Sequence, residues 1–181
     1  MLIDDGLGSG RKTEVNKLHQ LVVRSIVEQD INYVAEKFSE SYFIQAVDAG
    51  PVAGEYTLYF KNDSETDFVI NAIDMFVTDA DVVWKLTEVT GTAGGASVIT
   101  PVNFNLGSGK TADATVRGGA AGVGSVTPGT VLRTIYGGSV FNRFRIEAHI
   151  IIPKDKAIAF EYDAGTGGAV TIGFSGFYKQ G

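Results

Sequence analysis

The chain of 181 residues contains no cysteine, which excludes disulfides and thiolate metal sites. It has only 4 prolines and 1 tryptophan. Positive charge is scarce: 15 Lys and Arg stand against 21 Asp and Glu, a net charge of −6. A basic face that could follow a phosphate backbone is not expected, nor is attraction to an anionic membrane surface, so neither nucleic acid nor membrane is an expected partner. No long apolar run follows the opening "MLIDDGLGSGRK", which therefore reads as neither a signal peptide nor a membrane span.

Several chemical signatures are missing as well. "NLGSGKTADA", residues 105–114, carries the Gly109-Lys110-Thr111 ending of a nucleotide-binding loop. The full pattern, G-x-x-x-x-G-K-[ST], needs its first glycine at position 104, which is Phe104. Glycines at 118, 119, 122 and 124 follow, so no helix N-terminus is expected to face a phosphate. The stretch reads instead as a loop or edge segment feeding a strand. There is no G-x-S-x-G elbow, since Gly173 and Gly176 flank Ser175 unevenly.

The two histidines, His19 and His149, lie far apart in sequence. His149 sits in an alternating run beside Arg145 and Glu147, the pattern of a surface or cross-strand partner. The acidic runs around Asp63, Glu65 and Asp67, and around Asp79 and Asp81, lack the calcium-loop pattern and read as solvated turns. Trp84, between Val82 and Leu86 on one face, reads as core. The sequence gives no reason to expect an enzyme, a cofactor or a metal site.

What the chain does have is 23 glycines within a composition that is 44% hydrophobic. That combination suggests short strands joined by many turns. "FNRFRIEAHIII" sets Phe144, Ile146, Ala148, Ile150 and Ile152 on one face and Arg143, Arg145, Glu147 and His149 on the other, the period of a half-buried strand. Leu58 and Phe60, then Val82, Trp84 and Leu86, repeat the pattern. So do Ile158, Phe160 and Tyr162, and finally Val170, Ile172, Phe174 and Tyr178. "DFVINAIDMFV" is apolar on both faces and predicts a central strand covered on both sides.

About eight to ten strands without intervening helices predict an all-β fold, an antiparallel β-sandwich with a jelly-roll-like order, and an extended N-terminal arm. The division expected is an arm and anchoring segment over residues 1–40 and a β-sandwich domain over 41–181. Within the first part, periodicity does not decide between strand and helix over residues 15–40. The reading adopted is an extended segment followed by a helical turn near Asn32 to Phe38.

"VITPVNFNLGSGKTADATV" resembles a segment of small structural proteins of tailed-bacteriophage particles. There a strand running into Thr-Pro-Val-Asn-x-Asn leads to a Gly/Ser turn and an Ala/Thr-rich strand. The matching residues are Thr100, Pro101, Val102, Asn103, Asn105, Gly107, Ser108, Ala112 and Thr115. Asp5-Gly6, Gly8, Gly10, Val15, Asn16 and Leu18 are similar to the Asp-Gly-x-Gly arm that opens many of the same proteins.

The resemblance implies a non-enzymatic capsid decoration protein on the virion surface. It further implies a homotrimer whose arm is held by the major capsid protein or another virion protein. The arm residues it singles out are Leu2, Ile3, Asp5, Gly6, Leu7, Gly8, Gly10, Arg11 and Val15. The alternative from another class is a tail-associated receptor- or carbohydrate-binding module. It would need an exposed aromatic face, for which Tyr33, Tyr42, Tyr59, Tyr136, Phe177 and Tyr178 are the candidates, although most of them are expected to serve the core or a subunit interface.

Overall fold

The computed structural model describes residues 38–78, 81–137 and 142–179, with Ile31, Val34, Ala35 and the backbone of three short strands before them. Those strands, β1 (Leu2–Asp4), β2 (Lys12–Val15) and β3 (Leu21–Val22), pair antiparallel as a small sheet in the order β1-β2-β3. Leu2, Ile3 and Val15 therefore lie on strands, with Leu2 opposite Glu14 and Ile3 opposite Thr13. Asp5, Gly6, Leu7, Gly8, Gly10 and Arg11 lie outside the described residues. Ile31, Val34 and Ala35 have helical backbone, and the Phe38 N–H donates to the Val34 carbonyl at 3.0 Å, one helical turn.

From residue 41 the chain is β throughout: β4 (Ser41–Asp48), β5 (Glu55–Asn62), β6 (Phe68–Val77), β7 (Val83–Gly94), β8 (Ser97–Val98), β9 (Val102–Asn103), β10 (Ala114–Gly118), β11 (Gly124–Tyr136), β12 (Asn142–Ile152), β13 (Ala157–Ala164) and β14 (Val170–Tyr178). Among the long strands the first pairs with the last: β4 with β14, β5 with β13, β6 with β12 and β7 with β11. β14 also pairs with β6, and β13 with β7. Two antiparallel sheets result, ordered β12-β6-β14-β4-β9 and β11-β7-β13-β5-β10-β8. Folding four nested strand pairs over on themselves in this way is the order of a jelly roll, two sheets packed face to face.

Alternation fixes which side chains fill the space between the sheets. Tyr42, Ile44, Phe68, Met75, Ile172 and Phe174 enter from the first sheet, and Leu58, Phe60, Trp84, Leu86, Ile158 and Phe160 from the second. Aromatic edges meet faces across the gap, Phe60 to Phe174 at 5.4 Å between centroids, and along the second sheet, Trp84 to its cross-strand neighbour Tyr162 at 5.1 Å. Such pairs add about 0.5–1.5 kcal/mol each beyond the area they bury. Trp84 is fully buried, as its flanking residues predict.

The two-faced run in β6 has a different origin from the one its composition suggests. The pairing of β6 with β14 slips by one residue between Ser175 and Gly176, leaving Asn71 as an insertion, so the inward set changes parity from Phe68 and Ile70 to Ile73, Met75 and Val77. A bulge of this kind moves every later side chain to the other face. β6 is central as expected, but its outer face is not fully covered, because Phe76 is 41% exposed. The bulge brings backbone close: a Cβ at Gly176 would lie 2.4 Å from Phe68 Cε1 and 2.5 Å from the Val69 carbonyl oxygen. Only glycine fits there without displacement.

The glycine-rich stretch between β7 and β11 folds back on the outer face of the second sheet. Ala93, Ala96 and Val123 cover Tyr59, Val89 and Ala159 in a second apolar cluster. Gly91 takes φ 95° where a Cβ would meet the Ser125 carbonyl oxygen at 2.9 Å. Here glycine serves turning and close approach together.

Candidate functional site

A concave surface lies on the outer face of the first sheet, a trough of about 1180 Å³. Its position follows from the same alternation that builds the core. With Tyr42, Ile44 and Ala46 inward on β4, the intervening Phe43 and Gln45 must face out. After the bulge, β6 presents Asp74 and Phe76 on this side, and β14 presents Thr171, Gly173 and Ser175. β12 contributes Arg143 and Arg145, while Ile31 and Ala35 of the helical turn form another wall. The Ser41 hydroxyl holds that turn in place by donating to the Ile31 carbonyl at 2.9 Å.

Opposite the arginines stands the loop that follows β9. Phe104 is 49% exposed and Leu106 is 86% exposed. The asparagines that precede each of them are tied down. The Asn103 amide donates to the Ser39 carbonyl at 2.8 Å and to the Lys110 carbonyl at 3.1 Å, and its oxygen accepts from the Asn105 N–H at 2.9 Å. Asn105 in turn donates to the Ser39 hydroxyl at 2.9 Å and accepts from the Gly107 N–H at 3.2 Å. Asn side chains that close turns on their own backbone make such a loop a defined shape. The segment that imitates a nucleotide-binding ending is this loop, and it feeds β10 as the sequence predicts. Its Lys110 ammonium pairs with Glu40 at 2.7 Å.

The charges in the trough are unevenly matched. Arg145 lies 3.3 Å from Asp74 across the β12–β6 pair. Arg143 is exposed and has no ion-pair partner among the described residues. The Ser175 hydroxyl is buried and makes no hydrogen bond within the described structure. The trough thus joins an aromatic floor, a few polar groups and a basic end, a surface fitted to binding.

Away from the trough, several charged side chains pair with one another. Lys61 bridges Asp63 at 2.7 Å and Asp155 at 3.1 Å, and the Thr115 hydroxyl donates to Asp63 at 2.6 Å. Partial burial pushes the Asp63 carboxyl up, but the hydrogen bonds from Lys61 and Thr115 outweigh it and hold the group below its ordinary value. Glu65 pairs with Lys154 in the same turn. Tyr42 is pushed up to about 12, by burial first and by the Glu40 carboxylate second. His149 is exposed on β12. Asp81 is exposed, and Asp79 lies outside the described residues. No group of three or more metal-ligating side chains occurs among the described residues.

The aromatic residues singled out from the sequence are distributed differently from an exposed platform. Tyr42, Tyr59, Phe177 and Tyr178 are buried, Tyr136 is 73% exposed, and Tyr33 lies outside the described residues. The aromatics that gather on one face are the exposed Phe76 and Phe104 and the half-buried Phe43, which sequence reading missed. Their signal was present: an apolar residue, Phe43, on the outward face of β4, and Phe104 and Leu106 each following an asparagine. No protein-family profile, no curated protein and no solved structure matches the chain.

Proposed function

We propose that this protein is a non-enzymatic structural component of a phage particle, a capsid decoration protein that sits on the head surface as a homotrimer and is anchored by its N-terminal arm. The observation that carries the reading is the Thr100-Pro101-Val102-Asn103-x-Asn105 segment with its Gly107-Ser108 turn, the element in which the resemblance to such proteins is most specific. The jelly-roll order of the eight long strands supports it, since viral capsid domains use that architecture.

In this reading Leu2, Ile3, Leu7 and Val15 supply apolar anchors, and Asp5 and Arg11 supply charges of both signs. Gly6, Gly8 and Gly10 make the arm costly to fix in isolation, so it is suited to order on a partner surface instead. The partner is the major capsid protein or another virion protein. Mass spectrometry of purified particles tests the reading, with an abundant component expected. Deleting residues 2–13 should leave thermal stability nearly unchanged and abolish incorporation. Full occupancy by the truncated protein would show that the β-sandwich makes the contact instead.

A second reading has one observation in its favour. The trough sets Phe76 and Phe104 near Gln45, Asp74 and Arg143, the mixture of aromatic faces and polar groups that a tail-associated receptor- or carbohydrate-binding module uses. Binding of the isolated protein on a glycan array, lost in Phe76→Ala, would favour it over decoration.

A further inference from the structure

We propose that the loop carrying Phe104 and Leu106 is a knob that inserts into the trough of a second copy of this chain. The inference rests on the homo-oligomer contained in the reading above and names the surface that builds it.

The argument begins with Leu106. It is 86% exposed, yet it stands on a loop fixed by the Asn103 and Asn105 hydrogen bonds to Ser39 and by the Lys110–Glu40 pair. A large aliphatic side chain held rigidly in water gains nothing for the fold. It is preorganised for a partner, because little entropy remains to be lost on docking. Beside it lies a recess floored by Phe43 and Phe76, whose chemistry matches the knob. One surface therefore carries both a projection and a cavity that accepts it. Copies related by a rotation axis beside the knob would satisfy each other with a single kind of contact, and a closed ring uses each feature once per copy.

Area agrees with this occupant. Five strands about 4.8 Å apart and about eight residues at about 3.3 Å each give an outer face of roughly 600 Å². The knob extends that face toward the roughly 800 Å² per partner that stable association requires. Arg143 faces out at the far end of the trough without an ion-pair partner among the described residues. Each copy carries a net charge of −6, so the long-range electrostatic term opposes association and the apolar contact has to outweigh it.

Because the chain has no cysteine, the contact can be trapped without background. Single Leu106→Cys and Thr171→Cys variants of the full chain, distinguishable by mass, are mixed, allowed to exchange subunits and oxidised. The expected product is the mixed disulfide joining position 106 of one copy to position 171 of another, with Val131→Cys, exposed on β11 of the other sheet, failing to cross-link to either. In sedimentation at micromolar concentration the parent chain should be an oligomer and Leu106→Glu a monomer with unchanged melting temperature. A parent chain that stays monomeric when concentrated overturns the inference. So does an oligomer that survives Leu106→Glu without forming the mixed disulfide, a result that would leave the particle reading standing. Absence of the protein from particles, with the disulfide formed, would sink the particle reading alone.

Discussion

Lys110 Nζ lies 2.7 Å from a Glu40 carboxylate oxygen, joining residues 70 positions apart. The contact gives the lysine of the apparent nucleotide-binding ending a role in holding a loop against the segment that leads into β4. The Lys110 side chain is 52% exposed and that of Glu40 27%, so the pair is screened and contributes at most about 1 kcal/mol. Lys110→Ala should therefore lower stability by no more than that amount in denaturant titration. Calorimetric titration of the parent chain with nucleoside triphosphate should show no heat of binding. Micromolar affinity abolished by Lys110→Ala would reverse this reading of the loop.

Gly176→Ala should destabilise the sandwich by about 1–3 kcal/mol, the range for forcing an extra carbon into a packed site. The added methyl would fall on Phe68 Cε1 and on the Val69 carbonyl oxygen. A thermal melt checks it, with Gly109→Ala as a control, since a Cβ there meets nothing within 4 Å. Equal melting temperatures for the two variants would mean that the β6 bulge relaxes freely.

Alkaline unfolding should begin near pH 10. In the unfolded chain a tyrosine ionises at about that pH, whereas burial, helped by Glu40, pushes Tyr42 up to about 12 in the fold. The folded state then binds the proton more tightly, so stability is full below about pH 10 and falls as pH rises toward 12. Tyr178 is raised by burial in the same sense. Tyr42→Phe should reduce the slope of stability against pH between 10 and 12, followed by chemical denaturation at each pH. An unchanged slope would show that Tyr42 ionises in the folded state as it does in water.

The acid limb has the opposite sign. Asp63 is held below its ordinary value once the Lys61 and Thr115 hydrogen bonds outweigh its partial burial. Its contribution is present above about pH 4, the unfolded value, and is lost as pH falls through the lower folded value. Asp63→Asn should be less stable than the parent at pH 7 and should lose less stability between pH 5 and pH 2. Parallel acid curves for parent and variant would refute the assignment.

What the sequence by itself determined was local. Alternation in "FNRFRIEAHIII" and "KAIAFEY" marked half-buried strands, and a strand's period of two depends only on its own backbone. Trp84 between Val82 and Leu86 was legible as core for the same reason. Phe104 in place of a glycine, and the glycines beyond it, told against a phosphate loop without reference to the rest of the chain. The many turns and the lack of helical runs then left an antiparallel sandwich as the fold that could bury so many apolar faces.

Tertiary structure decided everything that depends on pairing between distant residues. An alternating strand has two faces, but its sequence does not say which one meets the other sheet or what covers the outside. That choice came from register. The one-residue slip at Asn71 reversed the parity of β6 and put Phe76 outside, and β14, about a hundred residues later, fixes it. Tyr42, Tyr59 and Tyr178, candidates for an exposed face only on the alternative reading, are buried because their strands present those faces to the core or to the folded-back insertion. The knob and trough are legible only in space. Asn103 reaches Ser39 across 64 positions, and β9 lies beside β4 through the pairing of Tyr42 with Asn103, so no local pattern could place Leu106 at the rim of a recess floored by Phe43 and Phe76.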